Sequence, residues 1–142
     1  MSEKYEMASP QWLAALHAFF VAARPLVQLA RNVSLCEVYR DVPSSIPSAN
    51  GTIAFTVRFR KDSNDVEFEL AEAAEADMKL VIDYAHVLPA GRVVVGGDPA
   101  KQREMEGIIG KAIQSGHATV AGRMPAELQS LPVHDQIARL TA

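Results

Sequence analysis

Between Thr52 and Leu70 the chain alternates between apolar and polar positions. Ile53, Phe55, Val57 and Phe59 are separated by Ala54, Thr56 and Arg58; after the polar run Lys61 to Asp65, Val66, Phe68 and Leu70 alternate with Glu67 and Glu69. A period of two on both sides of a polar turn predicts two half-buried strands paired as a hairpin. Arg58 and Arg60 then lie across from Glu67 and Glu69 on the outer face, favouring the antiparallel pair by roughly a few tenths of a kcal/mol per contact. The inner face weighs more. Its seven large apolar side chains, at about 1.5–3 kcal/mol each when buried, contribute on the order of 10–20 kcal/mol before chain entropy. Other parts of the chain must cover that face.

Ser9-Pro10 reads as a helix start, and Trp12, Leu16, Phe19, Phe20 and Ala23 recur beyond it at helical spacing. This stripe is a candidate cover for the hairpin, and Pro25 should end it or kink it ahead of a second short piece from Leu26 to Ala30. Val33 to Tyr39 reads as a strand, and the Pro- and Ser-rich stretch from Pro43 to Gly51 as a loop. Ala71 to Ala76 suggests one helical turn, Asp77 to Ile82 a strand, and Asp83 the cap of a helix from Tyr84 that carries Pro89. Val93 to Val95 fits either a helix end or a strand. Asp98-Pro99 starts a further helix with Met105, Ile108, Ile109, Ala112 and Ile113 as its inward stripe and Gly116 as its terminator. His117 to Gly122 is a short strand, and Pro125 to Leu131 and Val133 to Leu140 are two terminal helices. The order predicts a single α+β domain over residues 1–142, with a mainly antiparallel sheet covered by helices on one face.

Composition narrows the function. With 142 residues, 49% hydrophobic and 22% charged, the chain is an ordinary globular protein with one core. A net charge of −3 with dispersed Lys and Arg argues against a nucleic-acid partner. The one cysteine, Cys36, excludes an internal disulfide and points to a reducing compartment. No basic-then-apolar leader opens the sequence, and the apolar window from Trp12 to Val21 is too short to span a bilayer. The expectation is a soluble, cytoplasmic protein without stable membrane insertion.

Motif chemistry is sparse. His17, His86, His117 and His134 include no pair at helical metal-ligand spacing, and Cys36 has no Cys-x-x-Cys partner, so neither a metal nor a cofactor is expected. Gly96-Gly97-Asp98-Pro99 lacks the spacing of a phosphate loop, and Asp98 would occupy the helix amides itself. In Val133-His134-Asp135 the neighbours point about a third of a turn apart on a helix, which disfavours direct His–Asp pairing. Gly107 and Gly110 mark either a bendable wall beside a ligand or close backbone packing. Glu37, Tyr39, Tyr84 and His86 lie at or near strand ends and, with His134, are the candidate polar contacts of a pocket.

The segment from Asp77 to Arg123 resembles the sterol carrier protein 2 family. The resemblance rests on the strand Ala76 to Ile82 ending in Asp83-Tyr84, the short helix after it, the Asp98-Pro99 helix, and the strand His117 to Gly122 ending Val120-Ala121-Gly122; the upstream hairpin is similar to the central strands of that family. It implies a five-stranded sheet and helices enclosing an apolar cavity for fatty acyl chains, sterols or similar lipids, with no catalytic signature. Two features depart from the pattern: a peroxisomal C-terminal signal is absent, and Gly122-Arg123-Met124-Pro125 stands where many members have Gly-Asp.

The expected activity is therefore the binding or carrying of an apolar small molecule between the sheet and the helix from Pro99. Its walls would come from Phe55, Val57, Phe68, Leu80, Met105, Ile108, Ile109 and Ile113. Periodicity does not separate a filled core from a hollow one. Two alternatives stand beside this expectation: a cofactor-free enzyme using two convergent acid-base groups, and a homodimeric accessory protein joined through the stripe from Trp12 to Phe20.

Overall fold

The computed structural model describes residues 3–142. Five strands, β1 (Val33–Arg40), β2 (Ile53–Phe59), β3 (Val66–Glu69), β4 (Met78–Asp83) and β5 (Ala118–Gly122), form one sheet in the order β3-β2-β1-β4-β5. Only β1 and β4 run parallel; the other pairs are antiparallel. The β2–β3 hairpin is antiparallel as predicted, with Arg58 opposite Glu67, Val57 opposite Phe68 and Thr56 opposite Glu69. Arg58 pairs with Glu69 at 3.2 Å, and Arg60 pairs with Glu67. Leu70, expected as the last inward residue, lies past the strand end and is 65% exposed. Asn50 and Gly51 take φ of +56° and +74°, the left-handed pair of a tight two-residue turn, closed by the Thr52 amide on Ala49 O at 3.1 Å.

Residues 71–76 form bends rather than the expected helical turn. They cross the back of the sheet, where Ala73 packs against Cys36 and Val38. The Thr56 hydroxyl and the Lys79 ammonium donate to the carbonyls of Ala71 and Ala73, both at 2.8 Å. The central strand β1 is thereby buried on both faces.

All the helices lie on the other face. α1 (Pro10–Ala23) starts as predicted, with Ser9 Oγ accepting from the Trp12 amide at 3.2 Å. It passes at Pro25 into a single 3₁₀ turn, Arg24–Leu26. Its apolar stripe covers the hairpin: Phe20 meets Phe59 edge-on at 5.6 Å, and His17 stacks on Phe68 at 4.7 Å. Trp12 packs edge-on against Tyr39 and donates from Nε1 to Thr141 Oγ1 at 3.1 Å. Trp12, Leu16 and Phe20 are thus buried within the chain.

α2 (Tyr84–Gly91) follows β4 directly. Asp83 does not cap it. Its oxygens are held instead by Arg40 Nε at 3.0 Å and His117 Nδ1 at 2.7 Å. Residues 93–95 belong to neither a helix nor a strand. α3 (Pro99–Gln114) has the predicted Asp98 cap, which accepts from the Ala100 amide at 2.9 Å. It ends at Gly116, where the amides of Gly116 and His117 reach back to Ile113 and Ala112 carbonyls at 3.2 and 2.8 Å. The segment from Pro125 to Leu131 holds one 3₁₀ turn, Ala126–Leu128, in place of a helix, because a stretch this short between two prolines cannot offset helix nucleation. α4 (Val133–Leu140) completes the layer.

Candidate functional site

The strand order divides the inner face of the sheet. Under α1 the β2–β3 half is filled by interlocking rings, whereas under α2, α3 and α4 the β4–β5 half holds a cavity of about 260 Å³. Met78 and Leu80 of β4 and Val120 of β5 make its floor. Met105 and Ile109 of α3 make its roof, and Val87, Ala90 and Gly91 of α2 face Val133 and Ile137 of α4 across it.

α3 leaves this space because only its C-terminal half is anchored. Ala112 is its one fully buried residue, and Met105, Ile108 and Ile109 are half-buried although they sit on the inward stripe. At the far side the main chain is tied down by Asp135, whose two oxygens accept from the amides of Val95 at 2.8 Å and Gly96 at 2.9 Å. Burial pushes the Asp135 carboxyl up, but these amides, with the nearby His134 and Arg139, hold it below the usual carboxylate range. Gly91 closes the α2 wall at the distance of a glycine: a Cβ there would stand 3.1 Å from Met7 Sδ. Val120, 43% exposed, marks the side open to solvent.

Among the described residues two polar side chains reach this apolar space, Glu37 and His134. Glu37 lies on the inner face of β1, opposite Phe55 of β2 and Leu80 of β4. The Tyr39 hydroxyl donates to Glu37 Oε1 at 2.9 Å. Among the described residues no cation pairs with Glu37. Burial pushes its carboxyl above the usual range, and the Tyr39 hydrogen bond only partly opposes this. Burial first, and the adjacent Glu37 charge second, push the Tyr39 hydroxyl well up, so it stays a donor. His134 Nε2 lies 2.8 Å from Val93 O. A carbonyl only accepts, so Nε2 carries the proton.

Of the walls expected from sequence, Leu80, Met105 and Ile109 line the cavity. Phe55, Val57 and Phe68 do not. Phe55 and Val57 are buried, and Phe68 stacks on Phe55 at 5.5 Å beneath α1. Ile108 is half-buried but does not line the cavity, and Ile113 is 45% exposed. Of the polar candidates, Glu37 and His134 line the cavity, and Tyr39 is tied to it only through its hydrogen bond to Glu37. Tyr84 is structural: it is buried, and its hydroxyl donates to Met7 O at 3.0 Å. His86 is elsewhere, stacked on His117 at 4.2 Å in a surface cluster with Asp83 and Arg40. There the His117 hydrogen bond foremost, followed by Arg40, outweighs burial and holds Asp83 low. Gly107 and Gly110 have no atom within 4 Å of an added Cβ, so neither marks a close backbone approach.

Met7, Met124 and the α4 residues Val133 and Ile137 are walls that the sequence reading does not include. The apolar positions of α4 are legible as one helix face, but nothing local links Met7 to them. That link is made by the Tyr5–Thr141 bridge, with the Tyr5 amide on Leu140 O at 2.7 Å.

No three His, Cys, Asp or Glu side chains among the described residues converge as metal ligands would. No helix among them is long and apolar enough to cross a membrane. No protein-family model matches the chain, and no curated protein does. Among solved structures it is similar to a conserved hypothetical protein of Thermus thermophilus, described as possibly a sterol carrier protein, with 16% identity over 99% of this chain and 94% of that one and a TM-score of 0.48. It is also similar to a sterol carrier protein 2, at 18% identity over 94% and 92% of the two chains with a TM-score of 0.43. A third similar structure, the ubiquinone synthesis protein UbiJ-SCP2, is 15% identical over 92% and 93% with a TM-score of 0.37.

Proposed function

We propose that the protein binds and carries an apolar small molecule in the cavity beneath α3. The observation that carries this reading is the lining: a hollow of about 260 Å³ in which every described side chain except Glu37 and His134 is apolar. The walls of an apolar cavity gain contact partners from a guest of matching shape. The volume lies just under the roughly 300–1,000 Å³ of drug-sized sites, which favours a small or slender guest: a fatty acyl chain, a small aromatic or the end of a sterol-like molecule. A larger one has to lift the N-terminal half of α3. The buried, unpaired Cys36 supports residence in a reducing, cytoplasmic compartment.

Native mass spectrometry of the purified protein, followed by denaturing extraction, tests the proposal. A stoichiometric apolar molecule released on unfolding is the expected result. A protein that is empty as isolated and takes up no fluorescent fatty alcohol or sterol would contradict it.

A second reading has its own observation. Glu37 and His134 face one cavity, as a cofactor-free acid-base enzyme requires. In that case Glu37→Gln would alter the pH–rate profile of turnover, whereas a carrier has no turnover to alter.

A further inference from the structure

We propose that Glu37 makes the cavity selective for apolar molecules whose one polar end donates a hydrogen bond, such as a primary alcohol or primary amine, and unfavourable to molecules ending in a carboxylate. The inference rests on the reading of the cavity as a binding site and names the chemistry of its guest.

Glu37 projects from the central strand into a space whose floor, roof and side walls are otherwise hydrocarbon and thioether, apart from His134. Its Oε1 is engaged by the Tyr39 hydroxyl. Oε2 accepts no hydrogen bond from any described residue, nor is it sealed away as a buried orphan atom. The oxygen left over is therefore the one a guest can reach.

Every group around Glu37 reinforces one preference. Tyr39 is a fixed donor, so Glu37 stays in the role of acceptor. His134 has its Nε2 proton committed to Val93 O. Among the described residues no Lys or Arg lines the cavity to receive an anion. A hydroxyl or ammonium placed at Oε2 satisfies a carboxylate that burial disfavours. A carboxylate guest instead brings a like charge into a low-dielectric space and enters only if the pair first takes up a proton.

Displacement of the uncharged dye N-phenyl-1-naphthylamine by 1-octanol, octylamine and octanoate at pH 8 tests this. These competitors share a chain and differ only at the polar end. The wild-type protein is expected to bind 1-octanol and octylamine at least about tenfold more tightly than octanoate. Glu37→Gln, which keeps the shape and removes the charge, is expected to narrow that gap to about threefold or less by strengthening octanoate and weakening octylamine. Octanoate equal to the other two in the wild type would overturn the inference while leaving apolar binding in place, and this comparison does not depend on the variant folding. An unchanged gap in a folded Glu37→Gln protein would overturn the assignment to Glu37. Absence of saturable dye uptake, with no binding of any octyl compound by calorimetry, would overturn the binding-site reading and this inference with it.

Discussion

At Gly122 a single backbone angle sets the edge of the site. Its φ is +73°, and a Cβ placed there would stand 2.0 Å from Asp77 O, closer than any relaxation of a flexible side chain could relieve. β5 ends there against β4, with the Arg123 amide on Asp77 O at 3.1 Å. Gly122→Ala is expected to lose about 2 kcal/mol or more of stability, measured by guanidinium unfolding. A residue-scale prediction of different kind concerns Glu37. Its folded carboxyl is raised by burial, so its contribution to stability is full below the unfolded value near 4.5 and is lost as pH rises through the folded value. Glu37→Gln should therefore be more stable than wild type at pH 8, with the difference closing by pH 4; a difference constant across that range would count against the buried carboxylate. Asp83 and Asp135 act in the opposite sense, since both are held low. Their stabilisation is present above the unfolded value near 3.8 and is lost as pH falls through the folded values.

Between elements, the two halves of the sheet behave differently although their sequences look alike. Phe55 is 1% exposed among Trp12, Tyr39 and Phe68, and Phe55→Ala should cost about 3–5 kcal/mol without removing the cavity. Met105 on the roof is half-buried, and Met105→Ala should cost about 1 kcal/mol; urea unfolding of the two variants gives the contrast. The hairpin is legible in the sequence because a period of two reports which side chains face inward. The inward stripe of α3 is equally legible, yet the period says nothing of how closely a helix approaches the sheet, and here only Ala112 is fully buried. The same gap explains why Phe55, Val57 and Phe68 read as walls. Asp83 reads as a cap because a local pattern does not see His117, 34 residues along the chain. Glu37, a carboxylate at an inward position of an apolar strand, is the clearest polar clue in the sequence.

Across the whole molecule, long-range ties set the site. The Tyr5–Thr141 bridge and the Trp12–Thr141 hydrogen bond bring the segment holding Met7 beneath α2, while Asp135 fastens the chain ahead of α3. The cavity is what remains between these fixed points, and carriage of a guest depends on its being hollow. Ile109 lines it from the roof and is only half-buried, so Ile109→Trp can fill the space without disturbing the ring core under α1. Titration of both proteins with N-phenyl-1-naphthylamine is the most direct test. Saturable uptake of one dye per wild-type chain, with affinity reduced about tenfold or more in an Ile109→Trp protein of unchanged circular dichroism, is the predicted result. Equal uptake by the two proteins, or none by the wild type, would contradict it.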